Sequence, residues 1–546
     1  MLLARLRSKS NDEGSALMAV LGVMAVALIV SVAVASATLS SLGFTGATRA
    51  GVQAQAAAEA GIDDAEAKLA KLVCNPASYK SLVEPIFSVE VFTQDGGNPA
   101  WVQRCPSAAT TTIKLKSTGT AIATGVSGNK TGDTRVVEAI YLPAVSSAIS
   151  DSGPAVYAYS ATGFGGSGTL LSVNGSKPSV LLRHDDVKCD GGGFVTGDLV
   201  AADGKITIGG SCSASGSVWA SKQVIIDGGS ITVGGNVTSR WTGSGDSMLL
   251  TGVKVKGDAW AAGPLKVTWG TVVDGNATAP SLDLAGGNVK GKAWAAGAAT
   301  FAGGAEIDGQ LTAKSTNSSS SAKGGATIVA AGPGAGPAAG PTPSVPDWVD
   351  FQYDKTKWVG FNEVAITGTC DFTSLKNAAA TLASGPGIIN ALGCTNAISI
   401  GGSDIVTLGN DLAIVAKGFN LGGGGGFTAA AERDLWLITP DTVADAKPTC
   451  PGSTPAVGPF TVDGGFTLAS TVHVMVYSPC KVNISSGINW YGQVYSGSTT
   501  IDGGAKLNYV PVGLPGVNLS NGTVTTPASS GGLGDRTSIR DLGANG

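Results

Sequence analysis

The chain has 546 residues, 81 of them Gly, and only 14% are Asp, Glu, Lys or Arg, against about 25% in an average globular domain. That length leaves room for about three or four domains, and so much Gly with so little charge points to turn-rich β-structure. A formal net charge of −4 offers no basic footprint, which excludes nucleic acid as a partner on composition.

Arg5, Arg7 and Lys9 precede a run from Gly14 to Thr48 that holds no charged residue and no His. The next basic residue is Arg49, an asymmetry that predicts a cytoplasmic N-terminus with the bulk of the chain outside. Leu17 to Ala37 suffices to cross a bilayer once. A secretory signal peptide would have a shorter apolar core, about 7–15 residues. The helical pattern continues through "RAGVQAQAAAEAGIDDAEAKLAKLV" (49–73), rich in Ala, with Asp64 and Lys68 at i,i+4. Residues 15–73 therefore predict one helix of about 88 Å, apolar in its first half and water-facing in its second.

The basic leader ending in Gly14, the apolar helix directly after it and "AAEAGI" (57–62) resemble the N-terminal region of PilX-type, type IV pilin-like proteins. The resemblance implies that a prepilin peptidase cuts between Gly14 and Ser15, so that 1–14 is a leader peptide. It also implies that the helix 15–73 anchors the chain in the cytoplasmic membrane and packs against other pilin-like subunits. Major pilins carry Glu five residues after the cut, where this chain has Ala19. That departure fits a minor, accessory or tip subunit of a bacterial surface assembly.

Residues 74–150 predict a small αβ head, with "TIKLKSTGTAIATG" and "TRVVEAIYL" as strands. Cysteines fall as four successive pairs: Cys74/Cys105, Cys189/Cys212, Cys370/Cys394 and Cys450/Cys480. Their even number and spacing suit disulfides in an oxidising compartment. Eight Cys allow 105 connectivities, of which nearest-neighbour pairing is the simplest, and buried free thiols are the alternative.

Over 153–314 the chain repeats itself. Gly197, Gly216, Gly235, Gly257, Gly275, Gly291 and Gly309 are 19, 19, 22, 18, 16 and 18 residues apart, the signature of a β-solenoid. Two residues after each Gly stand Leu199, Val218, Val237, Ala259, Ala277, Ala293 and Leu311, all apolar and so predicted to line the interior. The residue directly after each Gly is polar, hence outward. The third residue shares that outward parity and reads Trp219, Thr238, Trp260, Thr278, Trp294, Thr312. Trp219, Trp260 and Trp294 would form a ladder with a step of about 9.6 Å. Three readings stay open: another part of the chain covers them, a bend at the Gly turns them inward, or they bind a partner or stack on sugar rings. The repeat resembles bactofilin-like β-solenoid modules.

Residues 315–346 are rich in Ser, Gly, Ala and Pro and read as a linker. Residues 347–516 resume a β-pattern, either more solenoid or a related β-domain, and 517–546 read as a disordered tail. Catalytic signals are sparse. "RHDDVKCD" places His184, Asp185 and Asp186 side by side, and carboxylates on a β-helix groove can serve glycoside chemistry. A polar loop entering the solenoid explains them equally. Repeated "DGG" is first a turn signal, and no Cys/His cluster suggests a metal.

The expectation is a mainly β fold: long helix, small αβ head, then Gly-rich solenoid. It is a non-enzymatic surface protein without cofactor, in a pilus-like assembly or bound to surface glycans or a host cell. A permanently anchored adhesin is the alternative, and an extracellular carbohydrate-active enzyme a remote one.

Overall fold

The computed structural model describes residues 13–69, 74, 79–95, 98–107, 110–124, 130–146, 153–173, 175–329, 336–452, 458–524 and 528–543. The leader residues Arg5, Arg7 and Lys9 lie outside this set. The chain divides into two compact units, Met1–Ser146 with Ala528–Gly546, and Ser147–Pro527.

In the first unit α1 runs from Glu13 to Leu69. Its C-terminal half buries Ala50, Ala54, Ala58, Ile62, Ala65 and Leu69, spaced three or four apart so that one stripe meets the sheet. The sheet comprises β1 (Tyr79–Ser81), β2 (Ile86–Asp95), β3 (Asn98–Gln103), β4 (Thr110–Thr124), β5 (Lys130–Ser146) and the C-terminal strand Ala528–Gly543. Their order is β1-β2-β4-β5 and then the C-terminal strand, with β3 on β2. Small residues let helix and sheet approach closely. A Cβ on Gly119 would stand 2.1 Å from the Ala54 carbonyl oxygen and 2.3 Å from the Ala58 nitrogen, far inside contact distance.

Residues 528–543, expected to belong to a disordered tail, instead extend this sheet beside β5. Their Gly/Ser-rich sequence has no apolar alternation, so backbone pairing and charge do most to hold them, with Leu533 packed against the core of the head. Arg540 Nε donates to Glu138 at 2.9 Å, and Lys114 Nζ sits 3.6 Å from the same buried carboxylate.

The second unit is a three-sided parallel β-solenoid. In each coil of its first half one strand pairs in register with its counterpart in the next coil: Leu199 with Val218, Val218 with Val237, Val237 with Ala259, Ala259 with Ala277. All the interior positions named above are fully buried. The outward polar residue after each Gly bridges coils, since Ser217 N donates to Asp198 Oδ1 (2.6 Å), Asp258 N to Asn236 Oδ1 (2.9 Å) and Asn276 N to Asp258 Oδ1 (2.7 Å). The repeated Gly is required by close stacking: a Cβ on Gly291 would lie 2.4 Å from the Gly275 carbonyl oxygen.

The two β-regions form one solenoid whose chain order is permuted. The strand Val156–Ala158, which opens the first region, pairs on one side with Ser179–Leu182 and on the other with Asn489–Ile501 near the end of the second. Coils of the first region therefore stack outward from the middle, while those of the second begin at the far end and stack back towards it. At the far end of the second region α2 (Phe372–Thr381), capped by Asp371 accepting from Ser374 N, puts Leu375 and Ala378 into the core, followed by Leu382 at its C-cap. The expected linker, 315–346, is no free spacer. The strand Leu311–Thr316 reaches into it, Ala326–Ile328 adds a rung, and residues from 336 onward lie on the solenoid surface.

All eight cysteines are paired, Cys74–Cys105, Cys189–Cys212, Cys370–Cys394 and Cys450–Cys480. Cys189–Cys212 lies fully buried in the solenoid core and closes a loop with a sequence separation of 23. A Cys189→Ala/Cys212→Ala double variant is expected to lose about 3 kcal/mol of unfolding free energy, read as a lowered denaturant midpoint. An unchanged midpoint would show that the crosslink is not stabilising.

Candidate functional site

Two surfaces stand out, one in each unit. The first is the N-terminal half of α1. Residues 16–44 are exposed throughout, and they include Leu17, Met18, Leu21, Met24, Leu28, Ile29, Leu39 and Phe44. Among the described residues, this one helix is long and apolar enough to cross a membrane, by length and composition. Burying such side chains is worth about 1.5–3 kcal/mol each, so a bare helix of this kind in water is strongly unfavourable. Gly14 and Ser15, the expected processing pair, fall in its first turn.

The second surface is the outer face of one solenoid side. In-register pairing sets up one continuous row: Val415, Ile438, Tyr477, Tyr495, Tyr157, Leu181, Val200, Trp219, Thr238, Trp260, Thr278, Trp294, Thr312 and Thr327. The three tryptophans alternate with threonines on it and stand outside the interior core. Trp219 is 8% exposed, while Trp260 and Trp294 are half-buried.

A strap, residues 336–361, runs along this row. Gly336 packs on Trp294, and Gly336, Pro337 and Ala338 help to enclose a cavity of about 370 Å³ with Trp260, Pro280 and Trp294. Arg240 donates to the Gly340 carbonyl oxygen at 3.3 Å and stacks over Trp260 at 4.9 Å. Further along, Tyr477, Tyr495 and Tyr157 stack at centroid separations of 5.6 and 4.2 Å, and their hydroxyls hold the strap's backbone. Tyr157 donates to the Pro346 carbonyl oxygen (3.0 Å) and Tyr477 to that of Val349 (2.7 Å). Tyr495 and Tyr477 accept from the nitrogens of Val349 (3.1 Å) and Phe351 (2.9 Å). Burial pushes all three phenol pKa values well up, so these tyrosines stay neutral donors. Trp348 inserts among them and donates Nε1–H to Asp441 Oδ2 at 2.9 Å. Burial raises the pKa of Asp441 against the pull of its backbone donors Thr449 and Val443.

No local period marks the tyrosine stack, yet the chain carries its trace as "AVYA" (155–158), "MVYS" (475–478) and "QVYS" (493–496). That echo links the first coil with the last two.

The "HDD" turn holds the next coil. His184 Nδ1 lies 3.3 Å from Asp203 Oδ2, and Lys205 N donates to Asp186 Oδ1 at 3.0 Å. Asp185 adopts φ +64° with its carbonyl directly under Gly204. Asp190 of a "DGG" turn pairs with Lys188 at 2.7 Å. Among the described residues, no group of three or more His, Cys, Asp or Glu is placed to hold a metal ion.

No protein-family model matches the chain, and no curated protein matches it. Among solved structures, the competence-associated pilin ComZ from Thermus thermophilus aligns at 11% identity over 90% of this chain and 97% of that one, with a TM-score of 0.21. At that score the likeness carries no argument.

Proposed function

We propose that the chain is a non-enzymatic, membrane-anchored surface component of a type IV pilus-like assembly, in a minor or accessory position. The observation that carries this reading is the division of α1. Its C-terminal half is built into the head, while residues 16–44 project as an uncharged, fully exposed apolar rod. Such a rod requires lipid or a bundle of like helices around it. Four disulfides support placement of the rest outside the cytoplasm. Other pilin-like subunits and a prepilin peptidase are the partners this implies. The half-buried Trp260 and Trp294 beside their cavity support an adhesive contribution, with a sugar ring stacked on an indole.

Mass spectrometry of the N-terminal peptide, from sheared surface material and from membranes, tests the reading. A peptide beginning at Ser15 in the sheared fraction is expected, and Gly14→Ala should abolish it. An intact Met1 end found only in membranes would remove the pilus role and leave an anchored adhesin.

A further inference from the structure

The head carries a second apolar feature beside α1. β1 and β2 pair antiparallel, with Ser81 opposite Phe87, so the loop 82–85 lies beyond that pair. At its tip Leu82 and Val83 are 86% and 78% exposed. Glu84, Pro85 and Ile86 line a cavity of about 510 Å³ together with Gln53, Ala56 and Ala57 of α1, which fixes the loop at the end of the sheet nearest the apolar rod. Gln53 also belongs to a shallow hollow with Phe44, Thr48 and Val52. Apolar surface therefore continues from the rod, through Phe44 and Val52, to the loop.

We propose that this loop is a membrane-docking element: Leu82 and Val83 insert into the outer lipid headgroup layer and seat the head on the bilayer while α1 spans it. The proposal rests on the membrane-anchored reading above. Length favours lipid as the occupant. The uncharged run, 35 residues from Gly14 to Thr48, is about 52 Å long against about 40–45 Å for a bilayer with its headgroups. Tilted by about 30–40°, within the range of membrane helices, the run matches that thickness and sets Arg49 at the outer surface, with Gln53–Ala57 only about 6–12 Å further along the helix. Apolar side chains of an interfacial element enter the boundary by about 5–10 Å, which matches a loop projecting back from that level.

The test uses the full chain in vesicles of phosphatidylethanolamine and phosphatidylglycerol. All native cysteines are in disulfides, so one introduced thiol takes an environment-sensitive nitrobenzoxadiazole label. Label positions are Leu82→Cys, Val30→Cys within the rod, and Leu142→Cys, an exposed site on β5 at the opposite end of the sheet. Brominated lipids are expected to quench labels at 82 and 30 about twofold and to leave 142 unchanged. Quenching at 30 but not at 82 overturns the docking loop and keeps the membrane reading. Quenching at neither overturns both. A blue shift at 82 without quenching, growing with protein density in the vesicle, assigns the loop to a second copy and overturns lipid as its occupant.

Discussion

Replacing Gly492 by Ala is expected to destabilise the solenoid by about 4 kcal/mol, combining backbone strain and overpacking of about 1–3 kcal/mol each. Gly492 has φ +139°, where an L side chain is strained. An added Cβ would also stand 1.9 Å from the Val474 carbonyl oxygen and 2.7 Å from the Val474 nitrogen. Those atoms are backbone in a paired strand, so no rotamer change relieves the clash. The same strand carries Gln493 and Tyr495 and receives Val156–Ala158, so the damage falls where the two halves meet. Hydrogen exchange should show lost protection over 153–160 and 489–509 first, with 265–313 nearly unaffected, since each coil contacts only its neighbours. Uniform protection in the variant would refute the junction as described.

The second large effect is at Trp348, 3% exposed, with its ring 4.9 Å from that of Tyr495 and 5.3 Å from that of Tyr477. Trp348→Ala should cost about 3–5 kcal/mol through cavity formation and leave the buried Asp441 without its indole donor. The strap is then expected to become susceptible to limited proteolysis within 336–361. Trp294→Ala, at a half-buried ring, should cost about 1 kcal/mol or less, because little apolar area is returned to water. If the two variants have equal effects, the strap is not anchored by the tyrosine stack.

The parts legible in the sequence were those with a local period. Interior residues from Leu199 to Leu311 share one parity because a strand alternates its faces, and the apolar rod of α1 shows as a charge-free run. Coil order was not legible. A parallel ladder joining Val156 to Val494 leaves only the "VY" echo in the chain, and nothing local distinguishes first coil from last. The C-terminal strand escaped for a related reason, since Arg540 and Glu138 meet across a large sequence separation. Helix α2 escaped because it buries only two of its own residues, Leu375 and Ala378, too few for a clear period. For the tryptophans, parity showed that they leave the core but not what lies over them. A strap low in apolar residues up to Val345 has no pattern of its own, and its place is dictated by tyrosines it reaches only in the folded chain.

A solenoid that starts in its middle has a consequence for its manufacture. The coil beginning at Pro154 finds its second neighbour, Gln493, 339 residues later. At about 5–20 residues per second, synthesis separates the two by roughly 20–70 s. Throughout that interval the first-made half presents an unpaired strand edge, the surface on which nascent chains aggregate. The waiting edge therefore stays open until the closing rung is formed by nearly the last piece of the solenoid to be made.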